Sequence, residues 1–155
     1  MENVKSYMEI QEIRNENLFR YEINCEVDQK STKVLKLILQ PLVENSIKYG
    51  FCDIYEGGII RISVKEDSNY LIFSIYNSGK PIEKEMRYKI NSLNVKPFSA
   101  VREAFPDKDH GYGIVNVMTR LRLKYGEEVR FYYEAKDEGT KCVIKIPKEK
   151  KDEEE

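Results

Sequence analysis

Apolar and polar residues alternate without a break from Phe19 to Val27, with Phe19, Tyr21, Ile23, Cys25 and Val27 facing one way and Arg20, Glu22, Asn24 and Glu26 the other. A period of two predicts a half-buried strand. After the polar turn Asp28 to Thr32, with cap candidates in Ser31 and Thr32, the period changes. Leu35, Ile38, Leu39, Leu42, Ser46 and Ile47 recur at steps of three and four, which predicts an apolar helix stripe that Gly50 ends. Glu44, Asn45 and Lys48 fall on its far side. Pro41 lies inside this pattern, where a lost backbone hydrogen bond would cost about 3 kcal/mol.

Gly57-Gly58 opens a second strand running through Val64, Asp67-Ser68-Asn69 turns the chain, and Tyr70 to Tyr76 forms a third strand, together a hairpin. Beyond Gly79 and Pro81, a short helix fits Glu83 to Leu93, and Asn94 to His110 shows no period. A long irregular stretch inside a compact domain reads as a functional lid or disorder. Helical spacing returns with Ile114, Val117, Met118, Leu121 and Tyr125, and Gly126 stops it. Val129 to Ala135 and Lys141 to Ile146 alternate around Asp137-Glu138-Gly139 as a second hairpin.

This order predicts an α/β fold, more closely an α+β two-layer sandwich, with a mixed, mostly antiparallel sheet and helices on one face. Residues 17–147 would form the domain, with a lid at about 83–110. Residues 1–16 are a weakly amphipathic lead-in, with Val4, Tyr7, Met8 and Gln11 on one side and Ile10 and Ile13 on another. It reads as the end of a longer linker or dimerisation helix. Residues 148–155 are almost all charged and predict a disordered tail.

Composition narrows the function. The 155 residues carry 34% charged side chains and a net charge of -1, so no global basic field invites nucleic acid or anionic membrane. Any phosphate site must be local. Cys25, Cys52 and Cys142 are odd in number and widely spaced, which suggests neither a disulfide framework nor a zinc knuckle and fits a reducing cytoplasm. No apolar run approaches the roughly 18 residues of a membrane span, and the N-terminus has no signal-peptide pattern.

Three segments supply what a nucleotide site needs. Glu44-Asn45-x-x-Lys48-Tyr49 offers an amide oxygen as a hard Mg2+ ligand and an ammonium for phosphate. Asn77-Ser78-Gly79-Lys80-Pro81-Ile82 is a polar break after a buried strand, where Asn77 could pair with a base edge and Gly79 lets backbone approach a flat ring. Gly111 and Gly113 directly precede a helix start, a ready anion cradle. Each alone reads as a solvated helix face, a chain turn or an ordinary helix start. Their joint order, with a lid between the second and third, points to a nucleotide.

On these residues the chain resembles the ATP-binding domain of the GHKL superfamily, the Bergerat fold. It is most similar to the LytS/YesM-like branch of sensor histidine kinases. Leu-Gln-Pro-Leu-Val-Glu-Asn-Ser-Ile-Lys-Tyr-Gly at 39–50 resembles the N box. Gly-Tyr-Gly-Ile-Val-Asn-Val-Met-Thr-Arg-Leu-Arg-Leu-Lys-Tyr-Gly at 111–126 resembles the G2 box and its helix, and Gly139-Thr140 with Ile146-Pro147 the closing hairpin.

The resemblance implies ATP and Mg2+ as cofactors, with Asn45 on the metal, Lys48 at the phosphates and Tyr49, Gly79, Ile82 and Thr140 around the nucleotide. Gly111 and Gly113 would wrap the phosphates. Asn77 stands where the G1 box usually has an aspartate that accepts the adenine amino group, and an asparagine keeps an acceptor oxygen but loses the charge. That implies weaker or less selective ATP binding. Ser78 and Pro81 also depart from the G1 pattern.

ATP-hydrolysing members place a water-activating glutamate one turn before the metal asparagine, where this chain has Pro41. Glu44 would therefore orient substrate or act as a weak base in transfer to a protein acceptor. The implied function is the catalytic domain of a two-component sensor histidine kinase that passes the ATP γ-phosphoryl to a histidine outside this chain. His110, in the lid end, reads as a loop histidine. The implied partners are a dimerisation and phosphoacceptor domain upstream or in a partner subunit and a response regulator. The full-length protein would be a homodimer anchored in a bacterial membrane, with this domain in the cytoplasm. The alternative is a nucleotide-sensing or scaffolding pseudokinase with a degenerate adenine site. An anti-sigma-type serine kinase shares the fold.

Overall fold

The structure, a computed structural model, describes residues 1–28, 38–105 and 112–148. Ser31, Thr32, Leu35, His110, Gly111 and residues 149–155, to which the sequence assigns roles, lie outside the described residues.

In chain order the elements are α1 (Glu2–Arg14), β1 (Phe19–Cys25), α2 (Gln40–Asn45), β2 (Gly58–Glu66), β3 (Tyr70–Asn77), α3 (Lys84–Ser92), α4 (Phe98–Glu103), α5 (Tyr112–Tyr125), β4 (Arg130–Glu134) and β5 (Thr140–Pro147). The five strands form one sheet in the order β1-β2-β3-β5-β4. β1 runs parallel to β2, and the other pairs are antiparallel. This is the two-layer α/β architecture expected from the pattern. The hairpin turn between β2 and β3 is held by the Asp67 carboxylate, which accepts the backbone N–H groups of Asn69 and Tyr70 at 2.8 and 2.7 Å.

Alternation decides the two faces of the sheet. Ile60, Ile62, Val64, Phe73, Ile75, Ile144 and Phe131 are buried beneath the helices with Leu42, Val43, Val117, Met118 and Leu121. Each such side chain contributes about 1.5–3 kcal/mol on burial. The opposite face is polar, with Arg61 paired to Glu22 at 2.9 Å and the Ser63 and Ser74 hydroxyls 2.6 Å apart. Val4 and Met8 of α1 join the core while Ile10 and Ile13 are exposed, so the lead-in packs onto the domain through one face. No helix among the described residues is long and apolar enough to cross a membrane.

Two expectations are corrected. α2 begins at Gln40, so Pro41 falls in its first turn. A first-turn N–H has no intrahelical partner in any case, and the proline removes nothing. The segment 94–105 is not structureless: Leu93–Val95 forms a 3-10 turn, and α4 comes next with Val101 fully buried. Its order comes from contacts distant in sequence, which periodicity does not register.

The 3-10 turn is tied to the rest of the fold by polar side chains. Asn91 donates to the Tyr133 carbonyl at 2.9 Å and accepts the Tyr133 N–H at 2.8 Å. Asn94 does the same for Phe131, at 2.8 and 2.9 Å. Arg122 of α5 is 5% exposed and donates to the carbonyls of Leu93 and Lys96, the latter at 2.8 Å. Arg122→Ala strands those carbonyls and opens a void. It is expected to cost about 2–3 kcal/mol, read as a lower urea midpoint at unchanged slope. A shift below a few tenths of a kcal/mol would show that the guanidinium is not structural.

Candidate functional site

The residues of the first segment leave α2 through an unusual turn. Ser46 donates its hydroxyl to the Leu42 carbonyl at 3.1 Å, and Ser46–Gly50 continues the helix as a wider π-type turn. Wide turns of this kind re-aim side chains and recur at functional sites. Here Asn45, Ser46, Tyr49 and Gly50 face one cleft, while Glu44 and Lys48 remain on the exposed side. Glu44 accepts from Gln40 Nε2 at 3.2 Å, and Lys48 Nζ lies 5.1 Å from the Tyr49 ring centre.

The second segment forms the floor. β3 carries Asn77 to the end of the sheet, opposite Ile60 on one side and Thr140 on the other. Asn77 is 3% exposed and accepts the Gly79 N–H on Oδ1 at 3.2 Å. Ser78 turns away from the cleft and pairs with Ile59, whose N–H it accepts at 2.9 Å. The Lys80 N–H donates to the Gly50 carbonyl at 2.7 Å, which joins the floor to the end of the α2 turn. Thr140 then fixes the wall. Its hydroxyl accepts the Ile82 N–H at 2.9 Å and donates to the Lys80 carbonyl at 3.0 Å.

The resulting cleft has a volume of about 400 Å³ and is lined by Asn45, Ser46, Tyr49, Asn77, Ile82 and Thr140, with Leu42, Ile75, Met86, Ile114, Tyr133 and Cys142 as its apolar surface. A few convergent polar groups on an apolar wall suit a flat ring with a charged tail. Gly79 packs behind the floor, and Gly113 lies in the first turn of α5, where a methyl group would meet Asn45 Nδ2 and Pro41 Cβ at 3.9 Å. Gly111 is outside the described residues.

Met86, Tyr133 and Cys142 were not singled out from the sequence. Tyr133 and Cys142 face each other across β4 and β5, and only that register brings them beside Asn77. Burial pushes both the Tyr133 hydroxyl and the Cys142 thiol well up, so both stay protonated. Cys52 is exposed at the cleft wall. Iodoacetamide is accordingly expected to modify Cys52 and spare Cys142, and Mg·ADP to slow the Cys52 reaction in a mass-spectrometric time course. Identical Cys52 labelling with and without nucleotide would remove it from the bound surface.

The Asn45 amide makes no side-chain hydrogen bond among the described residues, and its oxygen is the hard donor type that Mg2+ takes. No cluster of three or more His, Cys, Asp or Glu suited to a metal occurs among them. A metal here would thus take one protein oxygen and complete its shell with water and phosphate, the ordinary mode for Mg2+ at a nucleotide. The residues present fit that ion.

Comparison with known proteins agrees with the geometry. Residues 31–150 match the family described as histidine kinase-, DNA gyrase B-, and HSP90-like ATPase. The sensor protein LytS of Enterococcus faecalis is 29% identical over 155 residues, covering 98% of this chain and 24% of that protein. The sensor histidine kinase/phosphatase LytS of Staphylococcus aureus is 25% identical over 155 residues, covering 99% and 25%. The chain thus spans about a quarter of the length of the curated relatives it matches. Among solved structures, the nucleotide-free catalytic domain of histidine kinase ThkA superposes with a TM-score of 0.68 at 21% identity, covering 95% of this chain and 90% of that one. ThkA in complex with the response regulator protein TrrA gives 0.62 at 22% identity, covering 95% and 39%. With one cleft lined by Asn45, Asn77, Ile114 and Thr140, and a family match over residues 31–150, the chain belongs to the histidine kinase-, DNA gyrase B-, and HSP90-like ATPases.

Proposed function

We propose that this chain binds ATP with Mg2+ and supplies the γ-phosphoryl group to a histidine outside residues 1–155, as the catalytic domain of a two-component sensor histidine kinase. The observation that carries the reading is the cleft itself, in which Asn45, Asn77 and Thr140 converge from three separated stretches of a chain with the family's pattern. In this reading Asn77 and Thr140 hold the base end, Ile82 and Met86 cover the ring, and Asn45 addresses the phosphates, which Lys48 would reach only by leaving the Tyr49 ring on the exposed side. Mg2+ at the Asn45 oxygen would supply charge neutralisation. Catalysis then rests on positioning and electrostatics, without a covalent intermediate on this chain.

Pro41, one turn before Asn45, supplies no carboxylate at the place where a water-activating glutamate would stand, which favours transfer to a protein over hydrolysis. In this reading the parent is a membrane-anchored dimer with the acceptor histidine in a segment preceding α1 or in a partner subunit, and the similarity to sensor proteins supports a sensory role for it. A response regulator as the next acceptor is supported by the ThkA–TrrA complex. The lead-in at 1–16 packs onto the domain through Val4 and Met8 and would contribute no residue to the nucleotide cleft. The scaffolding alternative has no support in the family match.

Titration calorimetry with an ATP analogue whose β,γ-bridge is an imido group, with and without Mg2+, tests the reading. Metal-dependent binding is expected. No heat and no thermal shift at millimolar nucleotide would move the chain to the scaffolding class. Labelling of the full-length protein should give a phosphoryl group lost in acid and stable in base, whereas acid-stable label would indicate a serine acceptor.

A further inference from the structure

The orientation of the Asn77 amide bears on which base the cleft accepts. Its side chain is 3% exposed, lies on the cleft floor and is held where a Cβ on Gly50 would come within 2.5 Å of Oδ1. The neighbouring Gly79 N–H can only donate, so the amide atom 3.2 Å from it must be the oxygen. Nδ2 is left as the end that can meet a ligand, and it donates to no group among the described residues. Thr140 offers no competing donor, because its hydroxyl hydrogen goes to the Lys80 carbonyl.

A carboxylate at this position could accept Gly79 N–H with one oxygen and a ligand N–H with the other. An amide cannot accept at both ends. With Oδ1 on Gly79, the floor presents a donor at Nδ2, which matches a ring carbonyl, and meets an exocyclic amino group only through the second lone pair of Oδ1. Turning the amide over presents an acceptor instead, at the expense of the Gly79 bond. The two orientations suit two different purines.

We propose that this cleft admits purine nucleotides with an oxygen at position 6, those of guanine and hypoxanthine, alongside adenine nucleotides, and that Asn77 sets the balance. The inference rests on the nucleotide-binding reading above and adds its base selectivity. Adenine and hypoxanthine differ only in the edge that meets the floor, so they isolate the effect of position 6. GDP adds a 2-amino group and reports on the rest of the pocket.

The test is calorimetric titration of the 155-residue chain with ADP, IDP and GDP in Mg2+, repeated on Asn77→Asp. The unchanged chain is expected to bind IDP within about tenfold of ADP, the range that one hydrogen bond decides. Asn77→Asp should shift the ratio toward ADP by at least about tenfold, because a carboxylate repels the carbonyl oxygen. ADP binding with IDP and GDP both weaker by more than that range would overturn the inference and leave the nucleotide reading standing. An Asn77→Asp chain with an unaltered ratio would remove Asn77 as the selecting residue. If none of the three binds, the nucleotide reading falls, and the selectivity with it. Should Asn77→Asp not fold, the unchanged chain alone decides.

Discussion

Replacing Gly79 with alanine is expected to unseat the floor of the cleft and abolish nucleotide binding. A Cβ at this position would fall inside the contact radius of the Gly50 carbonyl oxygen and carbon and within 2.9 Å of Phe51 Cδ1. The obstacle is backbone, which cannot turn aside as a side chain does. The same carbonyl accepts the Lys80 N–H, so the displacement breaks the joint between the α2 turn and the loop that Thr140 holds. At least about 3 kcal/mol of stability should be lost, the upper range for overpacking a tight site.

Gly113→Ala is the matched control, since its methyl group would meet its neighbours at 3.9 Å, ordinary contact distance. In a helix that exchange should raise stability by about 0.5–1 kcal/mol. Thermal melts and Mg·ADP titrations of both variants separate the two cases. A Gly79→Ala chain that melts and binds like the unchanged one would contradict the packing described. A stable Gly113→Ala chain that loses nucleotide would place the role of that glycine in closing over phosphate.

Asn45→Ala should leave the fold intact and remove the metal dependence of nucleotide binding. The side chain is half-buried at the cleft and makes no hydrogen bond to another side chain or carbonyl among the described residues, so its removal strands no partner. Losing a partner that merely orients a metal ligand costs about 10–100-fold in affinity, and losing the ligand oxygen itself should cost at least as much. The expected result is an unchanged melt without ligand, with Mg2+ no longer improving the affinity for an ATP analogue. Undiminished metal-dependent binding would mean that the ion takes its protein oxygen elsewhere.

Much of this architecture is visible in local periods. Both hairpins, β1 and α5 arise from alternation and helical spacing, and their turns from Asp67, Gly126 and Gly139. Asn77 can be marked as a candidate because it closes a buried strand two residues before Gly79, whereas Thr140, which opens β5, enters only through the family resemblance. Local pattern does not contain register. The pairing of Asn77 with Thr140 and the approach of Tyr133 and Cys142 arise between strands far apart in the chain. Pro41 was misplaced for a related reason, since a periodic stripe gives a helix its face but not its first residue. Asn91, Asn94 and Arg122 look like ordinary surface polar residues in the sequence. Their partners are backbone groups 26 to 42 positions away, which no spacing rule encodes.

The two asparagines act on β4 as a neighbouring strand would. Each amide engages the outward N–H and C=O of one residue, Phe131 and then Tyr133, at the two-residue interval of a ladder. Such an edge otherwise recruits strands from other molecules. Moving α3 and the turn after it would break four hydrogen bonds and bare the edge at once. The wall formed by Ile82 and Met86 is thereby fixed to the sheet, and the edge stays closed to strands of other chains.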